Sequence, residues 1–167
     1  DGRFNQRNVQ DLLQDLQDGN SLIMDALDMR EPALSGLCAL LEQEHQWPYQ
    51  TNVYVTPPSG QSFDAHCDVH HAFILQTLGS KNWRVNTYAE TFTHRQGNQS
   101  DEACRINADT ALEFTLEEGD LLYIPKGFAH HATSTDSVSV HITLSPHPPS
   151  FSDILTELIG FAQTTSP

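Results

Sequence analysis

Positive charge is what this sequence has least of. Its 167 residues carry 8 Lys and Arg against 22 Asp and Glu, a formal net charge of −14. Binding to phosphates needs a clustered basic face, so the composition argues against a direct nucleic-acid partner. The acid surplus serves solubility, or it attracts a basic partner. No apolar run reaches the roughly 18 residues a membrane helix needs, so no membrane partner is expected. Cysteine is scarce as well: Cys38, Cys67 and Cys104 form an odd set without metal-type spacing. That pattern predicts reduced thiols and a cytoplasmic setting. No internal repeat or low-complexity segment is present. The length suits one domain, divided into an N-terminal helical flank (1–48), a core (49–149) and a C-terminal helix (150–167).

Along the chain, the hydrophobic period changes from helical to strand-like near Tyr49. Val9, Leu12, Leu13 and Leu16 follow the i, i+3, i+4, i+7 pattern and predict an amphipathic helix over 7–18, with Asn8 as N-cap and Gly19 as stop. Residues 21–27 read as an edge strand. Pro32 suits the first turn of a second helix over 32–44, with Leu34, Leu37, Leu40 and Leu41 as its apolar stripe. Both helices are expected to pack on the core. From residue 49 onward, short strands are predicted around 52–55, 66–68, 72–77, 81–85, 112–116, 120–124, 130–134 and 138–144. They are separated by Gly and Pro turns, the pattern of an all-β barrel or sandwich. Residues 91–110 read as a polar loop, and 151–162 as a final helix capped by Ser150.

Two places carry chemistry. In His66-Cys67-Asp68, residues i and i+2 of a strand face the same way, so one imidazole and one carboxylate aim at one point while Cys67 points away. His130, set by the Pro125-Lys126-Gly127 turn, would add a second imidazole. Two His and one carboxylate on one side of a metal leave positions open, as in non-haem Fe(II) oxygenases. A His-x-Asp pair alone occurs by chance, and a histidine with no ligand role is the alternative. Adjacent strand residues face opposite ways, so only one of His130 and His131 can ligate. His70 and His71 fit rim or loop positions better than ligation. In the last strand, Ser139, His141, Thr143 and Ser145 share one face. That face meets water or lines a pocket.

The segments Asn52-Val53-Tyr54-Val55-Thr56-Pro57, His66-Cys67-Asp68, Phe73-Ile74-Leu75-Gln76, Gly79-Ser80-Lys81-Asn82-Trp83-Arg84-Val85 and Gly119-Asp120-Leu121-Leu122-Tyr123-Ile124-Pro125-Lys126-Gly127 resemble the JmjC-type cupin domain, in order and spacing. Within it they are most similar to the ribosomal oxygenases, which hydroxylate side chains of ribosomal proteins. The resemblance spans roughly residues 7–162. It implies a mainly β fold, a double-stranded β-helix (cupin, jelly-roll) barrel with flanking helices. It implies a dioxygenase using Fe(II), 2-oxoglutarate and O2, with His66, Asp68 and His130 as metal ligands picked by the Gly-x-x-His spacing from Gly127. A reducing cytoplasm would also suit Fe(II).

Lys81, 13 positions after Asp68, matches the lysine that grips the distal carboxylate of 2-oxoglutarate, with Arg84 as the next candidate. Asn52, His141 and Ser145 match positions beside the co-substrate. Tyr54 is divided between pocket and core, and Trp83 is assigned to the core. Where the family commonly has Asp after the residue matching His70, this chain has His71. The implied substrate is a His or Arg side chain of a basic polypeptide such as a ribosomal protein, and an oligomer stays open. Alternatives are a tailoring hydroxylase of a small peptide or metabolite, and a non-catalytic cupin that binds a metal or peptide.

Overall fold

The computed structural model describes residues 9–89 and 104–165. Helix α1 (Val9–Gln17) ends at Gly19, whose φ of 89° and N–H bond to the Leu16 carbonyl stop the winding. Its expected N-cap, Asn8, lies outside the described residues, as do positions 91–103 of the expected loop. Strand β1 (Leu22–Met24) is shorter than the run 21–27, because Ala26 takes a left-handed conformation and a 3-10 turn follows at Leu27–Met29. Helix α2 (Pro32–His45) starts on Pro32, with the Glu31 carboxylate accepting from the Ala33 N–H.

Each expected strand from residue 52 onward is present. In order these are β2 (Tyr49–Thr56), β3 (His66–Cys67), β4 (Ala72–Leu78), β5 (Lys81–Ala89), β6 (Leu112–Leu116), β7 (Leu121–Ile124), β8 (Phe128–Ser134) and β9 (Ser139–Pro146), followed by α3 (Phe151–Thr165). Strand β3 stops before Asp68, β7 starts after Asp120 and β9 after Val138, while β2, β4, β5 and β8 run past the expected bounds. Among the described residues they form two antiparallel sheets, ordered β1-β2-β9-β4-β7 and β3-β8-β5-β6. The non-sequential neighbours are those of a jelly roll. Ala72, Ile74 and Ile124 of one sheet meet Trp83, Val85 and Leu116 of the other in a buried cluster. The cupin expectation holds as two facing sheets rather than a fully closed barrel. Turn chemistry fixes the β4–β5 corner: Gly79 has φ 61°, and a Cβ there would stand 2.3 Å from the Val138 carbonyl oxygen, so only glycine fits.

The helices differ from expectation. Only α2 is well seated: Cys38 is buried with Tyr49 and Leu144, and Leu37 and Leu41 pack against them. Leu40, expected in the stripe, is 67 % exposed, because the buried face is centred on Cys38. Helix α1 leans on β1 and buries none of its residues. The apolar stripe of α3 is exposed.

The cysteines also correct the reading of three reduced thiols. Cys67 and Cys104 are joined in a disulfide, and Cys38 is the free, buried thiol. The two Cα atoms lie 5.5 Å apart, inside the range a bridge requires. Spacing along the chain does not reveal such a pairing, since the two cysteines are 37 positions apart.

Candidate metal centre

Strand pairing assembles the centre. His66 of β3 lies directly across from His130 of β8, and their rings are 4.3 Å apart. Asp68 follows β3, and its carbonyl accepts the Gly127 N–H at 3.0 Å. The turn that delivers His130 is thereby tied to the backbone of Asp68. Gly127 has φ 87°, a conformation that favours glycine.

Main-chain carbonyls orient both imidazoles. His66 Nδ1 meets the Asp64 carbonyl at 2.8 Å, and His130 Nδ1 meets the Phe128 carbonyl at 3.0 Å. With Nδ1–H donating, each Nε2 keeps a free lone pair, the usual arrangement of a metal-binding histidine. Those Nε2 atoms face Asp68, at 3.9 Å from His66 to Oδ1 and 3.6 Å from His130 to Oδ2. Two donors each about 2.1 Å from one ion stand at most roughly 4.2 Å apart, so both spacings fit a shared ion. Burial holds the His130 pKa below its ordinary value, against the opposing pull of Asp68. That favours the neutral, ligating form.

The back of the ligand strand is equally ordered. Cys67 points away from the centre, and its bridge to Cys104 packs on Ala129 with Ile106 alongside. Asn86 ties this segment to β5, donating to the Arg105 carbonyl and accepting the Asn107 N–H, both at 2.9 Å.

A cavity of about 300 Å³ runs inward from the centre. Lys81 and His141 lie in its wall and are buried, at 1 % and 4 % exposure. Lys81 Nζ approaches His141 Nδ1 at 3.2 Å, a contact satisfied when the ammonium donates to an unprotonated ring nitrogen. Burial lowers the Lys81 pKa to about 8. Burial, then Lys81, then His130 push His141 well below its ordinary range. Among the described residues no carboxylate lies within ion-pair distance of Lys81, so the buried ammonium has no counter-charge among them. Tyr54 stacks on His141 with ring centroids 4.6 Å apart. Its phenol is raised to about 12, by burial first and then by Asp68.

The other expected residues fall as follows. Asn52 lines the cavity, but its Oδ1 already accepts from Ala26 N–H and Gln50 Nε2. The polar face of β9 turns inward. His141 and Thr143 reach the cavity, whereas Ser145 is buried without lining it, and its Oγ has no partner among the described residues. His131 faces away and meets Gln61, His71 stacks on Tyr123, and His70 sits in the cavity wall. Arg84 faces outward onto Glu113, so it does not reach the cavity. Trp83, assigned to the core, belongs to both core and cavity wall, with its buried Nε1 unpartnered among the described residues. Asp25 and Phe63 also line the cavity and were not foreseen there, because Asp25 fell in the run read as an edge strand and Phe63 in a segment with no periodic signal.

A family model described as the JmjC domain matches residues 30–154. A protein of Drosophila persimilis named bifunctional lysine-specific demethylase and histidyl-hydroxylase NO66 is 39 % identical over 115 residues, covering 68 % of this chain and 16 % of that protein. Ribosomal oxygenase 1 of Rattus norvegicus is 35 % identical over 141 residues, covering 78 % and 22 %. Among solved structures, Escherichia coli YcfD, described as a ribosomal oxygenase in complex with cobalt and 2-oxoglutarate, superposes with a TM-score of 0.63 at 19 % identity. That match covers 86 % of this chain and 36 % of YcfD. The chain thus spans well under half the length of these relatives.

Proposed function

This chain belongs to the JmjC domain family, and on that premise we propose that it is an Fe(II)- and 2-oxoglutarate-dependent oxygenase. Its proposed reaction is hydroxylation of a side chain, His or Arg, in a basic polypeptide such as a ribosomal protein. The observation that carries the reading is one cavity with two handles: three donors placed to hold a metal and, in the same wall, a buried lysine without a counter-anion among the described residues. A buried unpaired charge is costly, and a small dicarboxylate that also reaches the metal would offset that cost.

His66, Asp68 and His130 would hold the iron, and the carbonyls of Asp64 and Phe128 keep their Nε2 lone pairs aimed at it. Iron with 2-oxoglutarate and O2 supplies the oxidant that turns C–H into C–OH, yielding succinate and CO2. Lys81 is assigned to the far carboxylate. A compact ammonium suits that task, and its neighbour His141 stays neutral, leaving the lysine as the charged anchor. Asn52 and His141 join Lys81 in this pocket, and the Tyr54 and Trp83 rings shape it. Ser145, which does not line the cavity, is left out of the set.

Three features support the substrate class. The relatives include proteins named ribosomal oxygenase 1, the chain carries a net charge of −14, and the cavity lining includes the exposed Asp25, whose carboxylate has no basic partner among the described residues. Complementary charge raises encounter rates and is screened by salt. Among the described residues no helix is long and apolar enough to cross a membrane. We keep a cytoplasmic setting and a single folded domain in the proposal. The Cys67–Cys104 bridge weighs against the former, and a thiol count on protein from cytoplasmic extract decides it.

The test is incubation with Fe(II), 2-oxoglutarate and a panel of basic peptides, at low and moderate salt. Succinate formation coupled to a one-oxygen mass gain on a peptide, weaker at higher salt, is the expected result. Oxidation of a neutral small molecule alone, indifferent to salt, contradicts the substrate class. No succinate under any condition contradicts the enzyme.

A further inference from the structure

The mouth of the cavity holds an acid that neither handle uses. Asp25 follows β1, is exposed, and lines the cavity together with Tyr54, Phe63 and His70. The chain is stitched down immediately behind it. Ala26 takes φ 49° and ψ 45°, which a non-glycine residue seldom adopts. Its N–H donates to Asn52 Oδ1 at 3.0 Å. Two residues on, Asp28 N–H donates to Thr51 Oγ1 at 3.0 Å, and Thr51 N–H donates back to Asp28 Oδ1 at 2.7 Å. The side chain of Asn52, read from sequence as a co-substrate contact, thus holds the rim segment in place.

Although its backbone is pinned, the Asp25 carboxylate has no basic partner within ion-pair distance among the described residues. In the same cavity lining, Phe63 meets Tyr54 edge-on at 6.2 Å and His66 at 5.3 Å between ring centroids. A side chain entering towards the metal therefore passes aromatic faces and a free carboxylate. A neutral group seated there would cover the carboxylate and leave its charge unpaired. A planar cation would stack on the rings and pair with the acid, and guanidinium is the side chain built for both contacts. Imidazole, mostly neutral near pH 7, is not.

Resting on the oxygenase reading above, we propose that Asp25 is a specificity-determining residue that grips the guanidinium of a substrate arginine, so that arginine rather than histidine enters this site. The test uses fluorescence anisotropy of labelled basic peptides that differ at one central residue: arginine, its neutral isostere citrulline, or histidine. They are titrated with the protein loaded with Mn(II) and 2-oxoglutarate in the absence of oxygen. The wild-type protein is expected to bind the arginine peptide about tenfold tighter than the other two, the scale of one charge-assisted contact. Asp25→Asn should bring the arginine peptide down to the citrulline level, with Asp25→Glu restoring part of the gap. The citrulline peptide is the internal control, since a general disturbance weakens all three alike.

Equal binding of the three by the wild-type protein, a preference for histidine, or arginine selectivity surviving in Asp25→Asn overturns the assignment. The two readings separate cleanly. Asp25-dependent selectivity with no oxygen gained after Fe(II) and O2 are supplied removes the oxygenase reading alone. Hydroxylation indifferent to Asp25 removes this inference alone.

Discussion

At the outer end of the cavity, the histidines of the triad are aimed by main-chain carbonyls, and the backbone of Asp68 is tied to the Gly127 turn. At the inner end, Lys81 meets His141, which is in turn held by the rings of Tyr54 and Trp83. The outer end is partly open, with His66 and Asp68 side chains at 15 % and 19 % exposure, whereas Lys81 is sealed at 1 %. Backbone-oriented donors keep their directions whatever the neighbouring side chains do. A buried cation held by side chains stays charged only while its surroundings supply compensation. On the proposed reading, the outer end holds an ion and the inner end recognises a charge.

Removing an outer donor should have the largest effect. Asp68→Ala or His130→Ala should abolish Mn(II) binding, read by electron paramagnetic resonance, and with it all turnover of 2-oxoglutarate. His131→Ala, on the opposite face, should leave the metal bound. The reverse pattern in β8 would show that the register assigned to the ligand strand is off by one.

Next in size is the strap behind the outer end. The Cys67–Cys104 bridge closes a 37-residue separation, and loss of such a link costs about 2–4 kcal/mol of stability. Cys104→Ser should lower the denaturation midpoint by a matching amount and loosen Mn(II) binding, because Cys67 sits between two ligands. Unchanged stability would separate the strap from the outer end.

At the inner end, Lys81→Ala should weaken 2-oxoglutarate binding by about ten- to a hundredfold, the worth of roughly 1.5–3 kcal/mol for a hydrogen bond to a charged group, while sparing the metal. Calorimetric titration checks both quantities. Arg84 cannot substitute from its outward position on Glu113.

The smallest effect is that of pH. Lys81 is lowered from 10.5 to about 8. Between those values the unfolded chain holds a proton that the folded chain has released, so this group's contribution to stability rises with pH across the window. Bound 2-oxoglutarate favours the charged lysine and acts in the opposite sense. The increase in Tm that 2-oxoglutarate gives the Mn(II)-loaded protein should therefore shrink from pH 7 to pH 9. A constant increase would mean that Lys81 does not carry the contact.

The same contrast explains what could be read from sequence. The triad was legible because a period of two puts His66 and Asp68 on one face and separates His130 from His131. The inner pocket was legible only through the motif around Lys81. Periodicity could not separate a β9 face lined by Ser139, His141 and Thr143 from one turned to water. The place of Asp25 and Phe63 in the cavity could not be read, because a left-handed Ala26 and an irregular loop present them. The disulfide escaped because chain spacing says nothing about two sulfurs brought together by β3 and the segment after residue 103. Leu40 was misplaced because an apolar residue can sit beside a buried stripe without joining it.

The central claim is that the two ends grip one molecule. The direct test is calorimetric titration of 2-oxoglutarate into the wild-type protein with and without Mn(II), repeated in Lys81→Ala and Asp68→Ala. Tight binding that needs both the metal and Lys81, and falls to the same weak level when either is removed, is the predicted result. Binding of 2-oxoglutarate that ignores the metal, or ignores Lys81, would contradict it.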